Sequence, residues 1–291
     1  MTSAATAGAG LSEADFEKFR EYFYKRTGIQ FAPSKRYFVD KRIDTCIKNS
    51  EFDTFTTWFA ALRLSARDDL LQELINQLTV NETYFLREDY QFDSMLRTVL
   101  PDVVEARGGA NRIVGPIKIL SLPCSTGEEP YSIALRLLEE WDLIDRLDVE
   151  IHGADIDSSV LDRARHASYG ERSLQRVPKK WRDKYFSPVG GGRYQLDEGI
   201  RGAVTLHQVN VTDTLAMRAF RDFDVIFCRN VLIYFDELSS RRAAENLYGA
   251  MRPGAYLFLG HSESMSRISP IFTPTRLPEG IVYQRPTGAN R

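Results

Sequence analysis

Two glutamates stand side by side in Pro123-Cys124-Ser125-Thr126-Gly127-Glu128-Glu129-Pro130. Before them, Ile117-Lys118-Ile119-Leu120-Ser121-Leu122 reads as a buried strand, and after them Tyr131 to Leu138 reads as an amphipathic helix. A tight turn from strand to helix is where open α/β sheets hold ligands, because backbone N–H groups at a helix start have no partner inside the helix. Paired carboxylates would repel a pyrophosphate. The turn therefore suits a ligand with a cationic group better than a dinucleotide. The sequence has no G-x-G-x-x-G and no G-x-S-x-G, the marks of dinucleotide binding and of a serine hydrolase. His152, His166, His207 and His261 show no metal-ligand spacing, so no metal is assigned.

Further polar clusters follow apolar runs. Gly153-Ala154-Asp155-Ile156-Asp157 ends a second strand; Asp155 is placed to accept ribose hydroxyls and Asp157 to cap the helix beginning at Ser158. In Asn210-Val211-Thr212-Asp213 the Asn amide matches the hydrogen-bonding edge of adenine, while a simple turn accounts for the same residues equally well. Phe223–Cys228 runs straight into Arg229-Asn230, with Tyr234 close behind. A charged pair at the carboxyl end of a central strand can face the cleft where strand order reverses. Asn81-Glu82-Thr83-Tyr84-Phe85-Leu86-Arg87 alternates polar and aromatic residues, as either an anchored linker or a lid over a cleft would.

The elements that must position these residues fall into two regions. Residues 11–80 read as four helices: Phe16, Phe19 and Phe23 mark the first, Ile43, Cys46 and Ile47 the second, Phe55, Trp58, Phe59 and Leu62 the third, and Leu70 to Leu78 the fourth. Beyond about residue 113, strands at Ile117–Leu122, Val149–Gly153, Phe223–Cys228 and Ala255–Gly260 alternate with helices at Glu129–Trp141, Ser158–His166 and Glu237–Met251. The chain closes on a hairpin around Leu277-Pro278-Glu279. Alternation of this kind predicts an α/β fold with a doubly wound sheet and an antiparallel edge hairpin, an outline that resembles the class I methyltransferase type. Residues 171–210, with Pro178, Pro188 and Gly190-Gly191-Gly192, read as a small inserted β lobe containing Arg193–Leu196 and Ala203–Leu206. Residues 1–10 read as a disordered tail, and 81–90 as a linker lining the active site of a domain at 91–291.

Composition sets outer bounds. A chain of 291 residues, 43% hydrophobic and 27% charged, has enough apolar content for folded, soluble domains. A net charge of −2 gives no reason to expect nucleic acid as a partner. Three separated cysteines, Cys46, Cys124 and Cys228, suit a reducing, cytoplasmic setting. No run approaches the roughly 20 apolar residues of a membrane span, so no membrane insertion is expected. One short element is an exception to the balanced charge: the second helix carries Lys35, Arg36, Lys41, Arg42 and Lys48 against Asp40 and Asp44. A solvated face or a dock for an acidic partner would explain it.

Taken in order, five stretches resemble the chemotaxis receptor methyltransferases, the CheR family: Asn81-Glu82-Thr83…Arg87, Cys124 to Ser132, Ala154-Asp155-Ile156-Asp157, Ile226 to Asp236, and Gly260-His261-Ser262-Glu263-Ser264. The resemblance runs from about Leu11 to Tyr283. It implies transfer of a methyl group from S-adenosylmethionine to glutamate side chains on receptor cytoplasmic helices, giving glutamyl methyl esters and S-adenosylhomocysteine. By the same resemblance, Asn81, Thr83, Arg87, Glu129, Asp155, Asn210, Val211, Arg229 and Asn230 bind the cofactor. Arg87 and Tyr234 flank the methyl, the Glu128-Glu129 turn counters the sulfonium charge, and the helical region, through Lys35, Arg36, Lys41 and Arg42, docks on the receptor. Methylation of another acidic protein or a small acid, or cofactor binding without turnover, are the alternatives. The chain departs from the family's pattern at Leu122-Pro123, where small residues are usual, and at Leu86, where Phe is usual. Its compact Gly190-Gly191-Gly192 loop predicts that no C-terminal receptor pentapeptide is needed as a tether.

Overall fold

The computed structural model describes residues 11–64 and 67–288; the tail expected at 1–10 lies outside them. The chain divides into two compact units, one reaching to Val80 and taking in Tyr234–Asp236, the other formed by Asn81–Ile233 and the chain from Glu237 onward.

The first unit is built on α1 (Glu13–Thr27), α2 (Arg36–Lys48), α3 (Phe55–Leu62) and α4 (Asp68–Leu78). Ser12 caps α1 by accepting the Asp15 N–H at 3.1 Å, and Gly28, at φ 79°, ends it. Thr54 caps α3. Phe16, Phe19, Phe23, Val39, Ile43, Trp58, Leu62 and Leu74 are buried at the helical spacing that the sequence shows. Ile29 bridges Phe235, Gln30 N donates to the Tyr234 carbonyl at 3.1 Å, and Tyr24 Oη donates to Asp236 Oδ2 at 2.8 Å.

On α2, Arg36 bonds Glu13 and the Leu11 carbonyl, lies 3.6 Å from Asp40 and covers the Phe16 ring. Its side chain remains 35% exposed. Lys35, Lys41 and Arg42 are exposed, with Arg42 over the Phe38 ring.

Among its described residues the second unit holds ten strands: β1 Ile117–Ser121, β2 Val149–Asp155, β3 Ser168–Gly170, β4 Phe186–Gly190, β5 Arg193–Leu196, β6 Val204–Gln208, β7 Phe223–Cys228, β8 Met251–Leu259, β9 Thr273–Leu277 and β10 Gly280–Gln284. Seven form one sheet in the order β6-β2-β1-β7-β8-β10-β9, and β3-β5-β4 form a small antiparallel sheet. From β6 to β8 all neighbours are parallel, and β10 and β9 add an antiparallel edge. Strand order reverses between β1 and β7, so the carboxyl ends of those strands open the crevice where such sheets bind ligands.

Two elements depart from the sequence reading. Val204–Gln208, assigned to the lobe, pairs parallel to β2 as an edge of the main sheet, with Ile151 opposite Val204. Its short, half-buried alternation fits either sheet, and only the partner strand decides. The chain from Tyr90 to Ala106 is helical and interrupted by a π turn at Met95–Val99. That turn lies directly ahead of Pro101, whose ring would otherwise meet the carbonyl four residues back. No helix among the described residues is long and apolar enough to cross a membrane.

At the amino-terminal end of β7, Asp224 Oδ2 accepts the Lys118 N–H at 2.9 Å and Arg107 Nη1 at 3.1 Å. Replacing Asp224 by Ala leaves the mostly buried Arg107 short of its counter-charge. The expected loss is about 3 kcal/mol, or roughly 5–10 °C in Tm. Thermal denaturation followed by circular dichroism measures it, and an unchanged Tm would contradict this role.

Candidate active site

The turn after β1 is held from several directions. Cys124 N donates to the Ala154 carbonyl at 2.8 Å, and Gly127 N to the Cys124 carbonyl at 3.0 Å. Ser125 and Gly127 both have left-handed backbones, φ 48° and 92°. A Cβ on Gly127 would come within 2.7 Å of the Tyr131 ring and 3.0 Å of Ala164 Cβ, so only glycine lets the turn lie this close to the helix it feeds. The Leu122–Pro123 peptide bond, where the chain departs from the family's pattern, is cis.

The two glutamates of the turn part company. Glu128 is 2% exposed and points inward, where Oε2 accepts Thr126 Oγ1 at 2.5 Å and Oε1 accepts Ser173 Oγ at 3.0 Å. Burial pushes its pKa up. It is a structural clasp between the turn and residues 171–174, which corrects the expectation that both glutamates offset a cationic ligand. Glu129 Oε1 accepts Ser121 Oγ at 2.7 Å, and Oε2 lies 3.1 Å from Arg229 Nη1. Burial raises its pKa and the neighbouring guanidinium opposes the rise.

Arg229, directly after β7, joins three segments. Its side chain is 2% exposed. Nη2 donates to the Arg87 carbonyl at 2.7 Å and sits 3.4 Å from Glu88 Oε2. The contact of Nη1 with Glu129 is an ion pair whose angle falls outside hydrogen-bond range, and Nε has no hydrogen-bond partner among the described residues. His261 Nδ1 lies 2.8 Å from Glu88 Oε1. Arg229 thus braces the site between Glu88 and Glu129.

The segment 81–89 is pinned through its apolar residues. Phe85 N donates to the Ser173 carbonyl at 3.0 Å, and its ring meets Tyr169 and Phe186 edge-on. Leu86 N donates to Ser132 Oγ at 2.9 Å. Leu86 and Glu88, at φ 58° and 55°, are left-handed non-glycine residues on either side of Arg87. Strain of this kind persists only where the surroundings enforce it. Arg87 Nη1 donates to the Glu82 carbonyl at 2.8 Å, and its guanidinium lies over Tyr84. Asn81 Nδ2 donates to Asp157 Oδ2 at 2.8 Å, and Thr83 is half-buried.

At the end of β2, Asp155 accepts the Ser125 N–H at 2.8 Å and the Asp157 N–H at 3.0 Å. Asp157 caps the next helix through Ser159 N at 2.8 Å and Val160 N at 3.2 Å. Beyond β6, Asn210 Oδ1 accepts both Thr212 N and Thr212 Oγ1 at 2.9 Å, a side-chain turn, and the Val211 carbonyl accepts Asn246 Nδ2 at 2.8 Å.

The second unit therefore gathers Asn81, Arg87, Glu129, Asp155 and Arg229 around the ends of β1, β2 and β7. Tyr234, in the turn Leu232–Tyr234, is grouped with the helical unit instead. Sequence reasoning missed Glu88 and Glu263. Glu88 adjoins a recognised motif and Glu263 lies inside one, yet the partners of each are remote in sequence.

Comparison with known proteins gives a consistent family. "CheR methyltransferase, all-alpha domain" matches residues 14–79, and "CheR methyltransferase, SAM binding domain" matches residues 81–281. The chain is 46% identical over 276 residues to "Chemotaxis protein methyltransferase 2" of Vibrio cholerae serotype O1, covering 95% of this chain and 94% of that protein. It is 30% identical over 278 residues to "Chemotaxis protein methyltransferase 1" of Pseudomonas aeruginosa, covering 94% and 98%. It is 32% identical over 257 residues to the "Chemotaxis protein methyltransferase" of Borreliella burgdorferi, covering 88% and 89%.

Burial holds the Asp155 carboxyl up at about 6 against an ordinary 3.8, although the backbone N–H groups of Asp157, Ser125 and Ile156 favour its ionised form. The folded protein thus binds this proton more tightly than the unfolded chain. The associated stability is present below pH about 4 and is lost as pH rises through about 6. Asp155→Asn cannot ionise, so its Tm relative to the parent should improve between pH 4 and 7. A Tm difference independent of pH would contradict the shift.

Proposed function

The chain belongs to the CheR methyltransferase family, and from that membership we propose how it methylates glutamate side chains on the cytoplasmic helices of chemotaxis receptors. The products are glutamyl methyl esters and S-adenosylhomocysteine. The observation that carries the proposal is the set of acceptors at the carboxyl ends of β1 and β2, braced by buried Arg229. That set fits S-adenosylmethionine. Asp155 retains acceptor capacity for ribose hydroxyls, and the carboxylates of Glu88 and Glu129 offer acceptors for a cationic group.

When bound, S-adenosylmethionine supplies a sulfonium methyl that is already electrophilic. The chain's task is then to align two reactants and to exclude water. A glutamate carboxylate is ionised near neutral pH and requires no general base. In this account Asp155 takes the ribose, Glu129 lies beside the methionine portion, and Asn81 and Thr83 border the reactive end. Asn230 lines the cleft with Arg229. Asn210 and Val211 would meet the adenine through groups other than the Asn210 Oδ1 and the Val211 carbonyl, which are engaged locally. Arg87 holds the incoming carboxylate by charge-assisted hydrogen bonds, having donors beyond the one it gives to Glu82.

Receptor docking falls to the exposed Lys35 just ahead of α2 and to Arg36, Lys41 and Arg42 on it, opposite an acidic helical surface. The tether question turns on the β4–β5 hairpin. Gly190 pairs with Arg193, so the loop is Gly191-Gly192, with φ 58° and 68°, a two-residue turn that leaves little reach for gripping a peptide. We therefore propose that the enzyme works without a C-terminal receptor pentapeptide.

Two outcomes test these assignments. Arg87→Ala should lower kcat/KM for a receptor fragment by about a hundredfold while leaving S-adenosylhomocysteine affinity within a few fold; unchanged turnover would remove Arg87 from the mechanism. Titration calorimetry with a receptor C-terminal pentapeptide should give no heat of binding at micromolar concentrations, and micromolar affinity would overturn the tether-free reading.

A further inference from the structure

The chain beyond β7 and the chain beyond β8 leave adjacent parallel strands, with Cys228 paired to Leu259 in the last rung between them. Past that rung the sheet ladder ends, and four backbone N–H groups need other acceptors. One side chain serves all four. Glu263 Oε2 accepts Asn230 N and Gly260 N, each at 2.8 Å, and Oε1 accepts Val231 N at 2.9 Å and Leu232 N at 2.8 Å.

The backbone that Glu263 gathers is not one a free chain would choose. Asn230 is left-handed, at φ 60°. Gly260 lies so close that a Cβ there would be 2.6 Å from Asn230 Nδ2 and 2.9 Å from Glu263 Oε2. The position of the Asn230 side chain, and the path of the chain through Leu232, are therefore set by a carboxylate more than thirty residues away in sequence.

We infer that Glu263 is a positioning residue for the cofactor site, acting through Asn230 and the chain after β7 without touching the reactants. The inference rests on the proposed role of Asn230 in binding the cofactor. Its chemistry is specific to a carboxylate: four acceptor positions on two oxygens meet four converging donors. An amide of equal size has one acceptor oxygen, and its NH2 would face two N–H groups.

The experiment is titration calorimetry of S-adenosylhomocysteine into the full chain and into Glu263→Gln, with Tm measured in parallel. Tyr256→Phe serves as the structural control, since it removes the 3.0 Å bond from Tyr256 Oη to Asp102 in another part of the fold. Glu263→Gln should weaken binding at least tenfold at a temperature where it remains folded, whereas Tyr256→Phe should lower Tm and leave the affinity unchanged. Parental affinity in Glu263→Gln would overturn the inference, as would an equal loss in Tyr256→Phe. Failure of the parent protein itself to bind would instead overturn the proposed function. If Glu263→Gln does not fold, Gly260→Ala decides, because its Cβ would meet both Asn230 Nδ2 and Glu263 Oε2 and so disturb the pairing that the inference invokes: a tenfold loss supports the inference and parental affinity overturns it.

Discussion

A buried guanidinium must have counter-charges, and the active-site end of the second unit is organised around that requirement. Arg229 emerges from the most completely buried strand of the sheet, where an unpaired charge would cost several kcal/mol. It draws in Glu129 from the helix after β1, Glu88 from the segment after Asn81, and the carbonyl of Arg87. Three stretches far apart in sequence are thereby held in one place. The arrangement also leaves Arg87 between two left-handed residues, with its backbone fixed from below and its guanidinium at the edge of the segment.

Carboxylates elsewhere in the unit do the same kind of work on backbone donors. Asp155 holds the turn after β1 through Ser125, Asp157 begins the next helix and holds Asn81, and Glu263 closes the gap beyond β7 and β8. Glu128 binds hydroxyls from Thr126 and Ser173. Asp155, Asp157 and Glu263 complete the backbone hydrogen bonding that the ends of parallel strands leave open, and in the proposed function Glu129 and Asp155 also face the cofactor.

Much of the fold was legible in the sequence because burial imposes periodicity. Phe223–Cys228, apolar but for Asp224, could only be a central strand, and the helix Ser158–His166 was marked by Asp157 ahead of it. What periodicity does not carry is the identity of partners. Val204–Gln208 has the alternation of any half-buried strand, and its place beside β2 is settled by the register with Ile151. Arg36 and Lys41 look alike in a charge run, yet Arg36 pairs with Glu13 and covers Phe16. Glu128 and Glu129 are neighbours in sequence with opposite fates, because helix geometry turns one toward Ser173 and the other toward Arg229. The site was legible as a set of residue types at strand ends; which of them bind ligand and which brace the others depended on contacts made across many residues of sequence.

The claim on which the account rests is that the acidic strand ends present a sulfonium methyl to a glutamate carboxylate. The most direct measurement is mass spectrometry of a chemotaxis receptor cytoplasmic fragment after incubation with the protein and methyl-labelled S-adenosylmethionine. The account predicts the mass increment of one methyl group on defined glutamates, released as methanol by mild base. A base-stable label on another side chain, or an unmodified fragment alongside turnover of a small acid, would contradict it.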